Sequence, residues 1–213
     1  MDIHAPEHPI HTWREFAIHI AVVTVGILIA IGLEGVRESF ATHHLLRETR
    51  QTFRDETAVA LDNMSRELPR VSSGSNTLQT LVAQMPALGM SRPEQVLATL
   101  KTVQNPNYFF SANAWQAALS TGALAHMRPD EVSAYAWSAE ATKIYGVWQG
   151  KALDAETRAD AFWQSHPRPN FREIAQGDEL LRLFATAEQT LAYLCPQTLQ
   201  SFERASKAAE SHK

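Results

Sequence analysis

The chain has 213 residues, with 19 Lys and Arg against 23 Asp and Glu and a formal net charge of −4. That balance carries no global basic footprint for nucleic acid, and a mean hydropathy of −0.24 excludes a polytopic membrane protein. The single cysteine, Cys195, precludes an internal disulfide framework.

Residues 1–15 form a polar tail with Pro6 and Pro9 among His4, His8 and His11. The prolines prevent one helical face from presenting the three imidazoles, and no thiol or acid completes a site, so no metal is expected. Residues 16–33 (FAIHIAVVTVGILIAIGL) contain no Asp, Glu, Lys or Arg. About 18 residues at helical rise span roughly 27 Å, close to the hydrocarbon core of a bilayer. A lone span must satisfy its backbone internally, which only a helix does. The expectation is a transmembrane helix over 16–34, running from Phe16 to Leu33, with Trp13 and Arg14 as interface anchors. Three other readings compete. A soluble core helix usually keeps a polar residue in each turn or two. A cleavable signal peptide ends in a small-x-small site, where this exit reads I-G-L-E-G-V-R. An amphipathic surface helix needs a polar face, and here apolar residues surround the cylinder.

His19 lies about one turn inside the span, where a neutral imidazole near the interface is the simplest reading. Gly26 and Ala30 form a small-xxx-small pair, as do Ala17 and Ala21, the pattern that lets membrane helices approach closely and form a homo-oligomer. Arg14 precedes the span, whereas Arg37, Arg47, Arg50 and Arg54 follow it, so the positive-inside rule leans towards a cytoplasmic domain.

Residues 35–68 predict a long juxtamembrane helix continuous with the span, with Phe53, Thr57, Leu61, Met64 and Leu68 on one face. Its charges, RETRQTFRDE, read as a solvated face, and His43-His44 as a weak metal signal. Residues 69–213 predict a helical bundle packing on 35–68. Within it, 69–76 (PRVSSGSN) is turn chemistry and reads as a loop, followed by a short helix over 77–88. Ser91-Arg92-Pro93-Glu94 is a capping box for a helix using Val96, Leu97, Leu100 and Val103, which Asn105-Pro106-Asn107 stops. Tyr108, Phe109 and Phe110 read as core plugs, since no basic residues interleave to make a nucleic-acid platform. Ser111 is a cap for a helix through Ser120 with Trp115, Ala118 and Leu119 inward; Thr121-Gly122 ends it, and Leu124 and Met127 pack the next turn.

Pro129 opens a helix to about Ser165, with Val132, Tyr135, Ala136, Ala139, Thr142, Tyr145 and Trp148 inward. Asn170 and Glu173 make another cap. Gly177-Asp178 reads as a restart, Leu180, Leu183, Phe184, Ala187, Leu191 and Leu194 as the buried face, and Pro196 as a kink. The last ten residues are expected to fray. The fold class is all-α: a transmembrane helix continuing into a long helix, then a bundle.

Two stretches carry a resemblance. VVTVGILIAIGLEG with the charged helix after it, and AWQAALSTGALAHMRPDEVSAYAWSAEAT, which looks like a later segment with a W/Y-x-x-L-x-x-S/T-G-x-L core, together resemble a family of uncharacterised bacterial membrane proteins. These begin with a V-I-G-I-L-I-A-L-type span. The resemblance implies a bacterial envelope protein, single-pass and helical, in the inner membrane; it implies no reaction and no catalytic residues.

No nucleotide-binding, zinc-protease, nucleophile-elbow or redox-dithiol motif occurs. Cys195 beside Pro196 reads as a packed apolar residue. Asp130-Glu131 and Asp178-Glu179 read as acids at helix starts, compensating the dipole. His126 and His166 border turns without an identifiable partner. The expected function is therefore a non-enzymatic interaction, scaffold or accessory envelope protein, with the lipid bilayer and another protein as partners, no nucleic acid and no cofactor. A ligand-sensing bundle without its own output domain is the second reading, and an enzyme with an unrecognised site the third. An exposed apolar patch would favour the first, a closed apolar cavity the second, and converging His, Asp and Arg in a pocket the third.

Overall fold

Five α-helices and one 3-10 turn account for nearly all of the computed structural model, which describes residues 13–88, 92–103 and 110–210, except the Glu15 side chain. They are α1 (Trp13–Leu88), α2 (Arg92–Thr102), α3 (Asn113–Thr121), the 3-10 turn Ala123–His126, α4 (Pro129–Ser165) and α5 (Phe171–Glu210). No strand occurs among the described residues, so the fold is all-α. Two compact units divide the chain, Met1–Arg47 and Glu48–Lys213.

In the first unit, residues 16–33 have their side chains exposed all round the helix. An eighteen-residue stretch of α1 reaches a mean hydropathy of 2.6 with none of it buried, so one helix is long and apolar enough to cross a membrane.

The second unit is built on one repeat. A line of buried positions in α1 runs through 53, 57, 60, 64, 67, 71, 74, 78, 81 and 85, steps of four and three in strict alternation. In α4 the same alternation runs through 131, 135, 138, 142, 145, 149, 152, 156, 159 and 163, and in α5 from 177 to 209. A 3.5-residue period is that of helices packed side by side with interlocking side chains. Partner residues fix the directions. Arg50 meets Glu131 and Glu67 meets Tyr145, so α1 and α4 run parallel. Met64 meets Cys195, and Gly74 approaches Glu188, so α5 runs antiparallel to α1.

The break expected at 69–76 does not occur; α1 runs through it to Leu88. Pro69 is exposed, so the Ser65 carbonyl that loses its partner faces water. Val71 and Leu78 meanwhile hold the buried seam on either side. Gly74 and Ser75 are small because neighbours come close: a Cβ at Gly74 would lie 3.0 Å from Val103 Cγ1 and 3.3 Å from Glu188 Oε2.

Nor does α5 restart at Gly177 or break at Pro196. Gly177 is buried beneath the Trp163 ring, and a Cβ there would stand 2.7 Å from Phe162 Cε1. Pro196 lies on the exposed face. The α5 end does not fray by ten residues either, since the helix reaches Glu210 with Ala205 and Ala209 buried. The buried face keeps Phe184, Ala187 and Leu191 as expected, while Leu180 and Leu194 are only half-buried. Leu181 is buried, whereas Leu183 is 53% exposed.

Other expectations stand as read. The α4 bounds agree, and Gly122 caps α3 in a left-handed conformation (φ 72°), donating its N–H to Leu119 O. Asn170 Oδ1 accepts the Arg172 and Glu173 N–H groups while Glu173 Oε2 accepts that of Asn170, a complete capping box. Phe110 plugs the core against Tyr145 and Phe202. Leu119, expected inward, is exposed. Ser91, the 105–107 stop and Tyr108 and Phe109 lie outside the described residues.

Candidate functional site

Midway along the bundle, the seam is polar. Glu67 and Glu188 are both 0% exposed, as are Tyr145 and Cys195. Glu67 accepts two hydrogen bonds from Arg70, Nε at 2.9 Å and Nη2 at 2.8 Å, and one from the Tyr145 hydroxyl at 3.2 Å. The second carboxylate, Glu188 Oε2, lies 3.6 Å from Arg70 Nη1, at ion-pair distance but beyond a normal hydrogen bond. Burial pushes the Glu188 carboxyl up to about 7; Arg70 opposes this, and Glu67 and Glu156 add to it. Burial likewise raises the Tyr145 hydroxyl, and pushes the Cys195 thiol to about 12. Cys195 Sγ sits 3.1 Å from Met64 Sδ, so it is a packed, inert thiol. The cluster is sealed, and a substrate could reach these atoms only if the helices parted.

Buried ion pairs also lock the bundle at both ends. Arg50 makes a bidentate pair with Glu131, Nε–Oε1 2.7 Å and Nη2–Oε2 3.0 Å. Beneath it, Phe53 and Tyr135 stack with ring centres 3.7 Å apart. Glu131 is therefore more than a dipole compensator, and Arg50 is not part of a solvated face. At the other end Arg92 Nη1 meets Asp178 Oδ2 at 3.3 Å and also bonds the Met85 carbonyl. Asp178 sits inside α5 and not at a helix start; burial raises its carboxyl. The α3 start is capped from α1: Glu56 Oε2 accepts the Ala114 N–H at 2.9 Å, where Ser111 was the expected cap and Ala112 is the N-cap residue, making no side-chain cap bond.

The outer side of the α4–α5 pair carries an open groove of about 260 Å³ lined by Trp137, Glu140, Ala141, Ile144, Leu194 and Arg204, among others. Trp137 is 67% exposed, and Ile144 on the same groove is exposed too. Glu140 stands on the α4 bank and Arg204 on the α5 bank. A second groove of about 520 Å³, between α1 and α2, is lined mostly by amides and hydroxyls. Its Thr77, Thr80 and Thr99 hydroxyls already donate to their own helices.

The span residues Phe16, His19, Gly26, Ala30 and Leu33, and the anchors Trp13 and Arg14, all lie on the exposed surface of α1. The Trp13 and Phe16 rings sit 5.6 Å apart. Around Gly26, nothing described lies within 4 Å of where a Cβ would stand. His43 and His44 are exposed; His166 stacks on Phe162 at 4.3 Å, and His126 ends the 3-10 turn on the surface. His4, His8 and His11 lie outside the described residues. No group of three or more His, Cys, Asp or Glu among the described residues could hold a metal ion. Sequence reasoning missed Glu67, Glu131 and Glu188, whose signal was their place on the four-three repeat, and Arg70, whose signal was its i,i+3 spacing from Glu67. No protein-family model, curated protein or solved structure matches the chain.

Proposed function

We propose that this chain is a single-pass, membrane-anchored docking protein with no reaction of its own, whose helical unit presents the α4–α5 groove to a protein partner. The observation that carries the reading is the apolar stretch of α1, with mean hydropathy 2.6 and none of it buried. A soluble core helix of that composition would be covered by its own chain, whereas this one exposes apolar side chains on every side, a surface suited to lipid. The groove supports the docking half of the reading, since Trp137 and Ile144 are exposed on its rim and exposed apolar side chains at a cleft mark interaction surfaces. The sealed polar cluster supports a structural role for the buried charges over catalysis. The family resemblance supports the bacterial inner membrane, and Arg37, Arg47, Arg50 and Arg54 a cytoplasmic domain.

Alkaline extraction of membranes tests the anchor. The wild-type chain is expected to stay in the pellet. Val23→Asp with Leu28→Arg puts two charges in the span, each costing about 3 kcal/mol on insertion scales, and is expected to move the protein to the soluble or degraded fraction. Release of the wild type by alkali would overturn the reading.

A further inference from the structure

The α4–α5 groove combines three features that together select an occupant. Its α4 wall is mostly apolar, with Trp137 and Ile144, whereas its α5 wall sets Leu194 beside Gln197, Thr198 and Gln200. Its two banks carry opposite charges, Glu140 on α4 and Arg204 on α5. Both are exposed, and neither has an ion-pair partner among the described residues, although other charges of the unit, such as Arg158 and Arg128, find acids nearby.

We propose that the groove is a self-docking face, occupied by the same groove of a second copy of this chain. This rests on reading the groove as the docking face and adds the identity of the partner. A two-fold interface is self-complementary: whatever i offers to j, j offers to i. A face with one acid and one base on opposite banks meets that condition, because a two-fold axis through the groove sets Glu140 of each copy against Arg204 of the other. The same rotation carries the exposed Trp137 of each copy into the interface. Two antiparallel helix pairs stacked in this way make a four-helix layer, an arrangement that buries apolar stripes efficiently. An unrelated partner would need both charges and an aromatic slot at matching spacing, whereas a second copy supplies them by symmetry.

The test uses the full-length protein in detergent micelles, with donor- and acceptor-labelled copies mixed and diluted to follow dimer dissociation by energy transfer. Glu140→Arg and Arg204→Glu each set like charges face to face, and each is expected to weaken the dimer about tenfold or more. The double variant Glu140→Arg/Arg204→Glu restores opposite charges and is expected to recover wild-type affinity, which a misfolded single variant could not do. Trp137→Ala is expected to weaken the dimer without charge rescue. A wild type that remains monomeric overturns the proposal and leaves a different protein as the occupant, with the anchor judged separately by alkaline extraction. A dimer indifferent to all four variants also overturns it and moves the contact elsewhere, for instance to the open Gly26 face of the span.

Discussion

Replacing Glu67 with alanine is expected to destabilise the helical unit by about 3–5 kcal/mol, the usual cost of removing one partner of a buried ion pair. Glu67 is fully buried and holds three donors, two from Arg70 and one from Tyr145. Its loss leaves the Tyr145 hydroxyl without its acceptor and Arg70 facing Glu188 alone at 3.6 Å. Neither group can turn to water, because Tyr145 is fully buried and Arg70 largely so. Glu67→Gln keeps an acceptor oxygen and is expected to lose less. Urea unfolding of the full chain in micelles, followed by circular dichroism, measures both. A loss under about 1 kcal/mol for Glu67→Ala would mean that the cluster contributes little to holding α1 against α4.

Glu188→Gln is expected to act in the opposite direction, and only as pH rises above about 4.5. The ordinary glutamate value is 4.5, and burial holds Glu188 near 7 in the folded unit. The folded state therefore keeps a proton that the unfolded state has already lost. Stability from this group is complete below about pH 4.5 and falls as pH rises towards 7, by roughly 3 kcal/mol in all. Glutamine resembles the protonated acid, so the variant should match the wild type near pH 4 and be more stable by up to that amount at pH 8. The difference between the two pH–stability curves isolates this group from other titrating carboxylates. Parallel curves would contradict the assignment. The source is burial first, with the neighbouring Glu67 carboxylate adding to it and Arg70 opposing.

Much of the fold was legible where local chemistry acts alone. Pro129 with its first-turn acids, the Asn170–Glu173 box and Gly122 each fix a boundary from neighbouring residues, and each is where the sequence places it. The sequence misleads where a seam position is filled by a residue that is not apolar. Val71, Gly74 and Leu78 continue the α1 repeat through PRVSSGSN, but proline, serine and glycine together resemble a turn. In α5 the seam runs through Gly177, Glu188, Cys195 and Thr198, so of the expected face Phe184, Ala187 and Leu191 are buried while the leucines at 180, 183 and 194 flank it. Gly177 is small because Trp163 occupies its Cβ space, a fact fixed by another helix. The ion pair at the bundle end was hidden for the same reason, since Arg50 and Glu131 are 81 residues apart and no local pattern pairs them. The groove needed the folded unit, because only the pairing of α4 with α5 brings Glu140 and Arg204 to one cleft.

The account stands or falls on whether residues 16–33 cross a bilayer. Two single-cysteine proteins in a Cys195→Ala background address this, one with Asp2→Cys before the span and one with Ala125→Cys on an exposed turn of the helical unit. Intact cells are treated with a membrane-impermeant thiol reagent, then lysed and treated again. The account predicts that the two thiols react from opposite sides, Asp2→Cys in intact cells and Ala125→Cys only after lysis, with both proteins in the membrane fraction. The reverse order would keep the span and move the helical unit outside the cytoplasm. Two thiols that react from the same side would contradict a transmembrane helix.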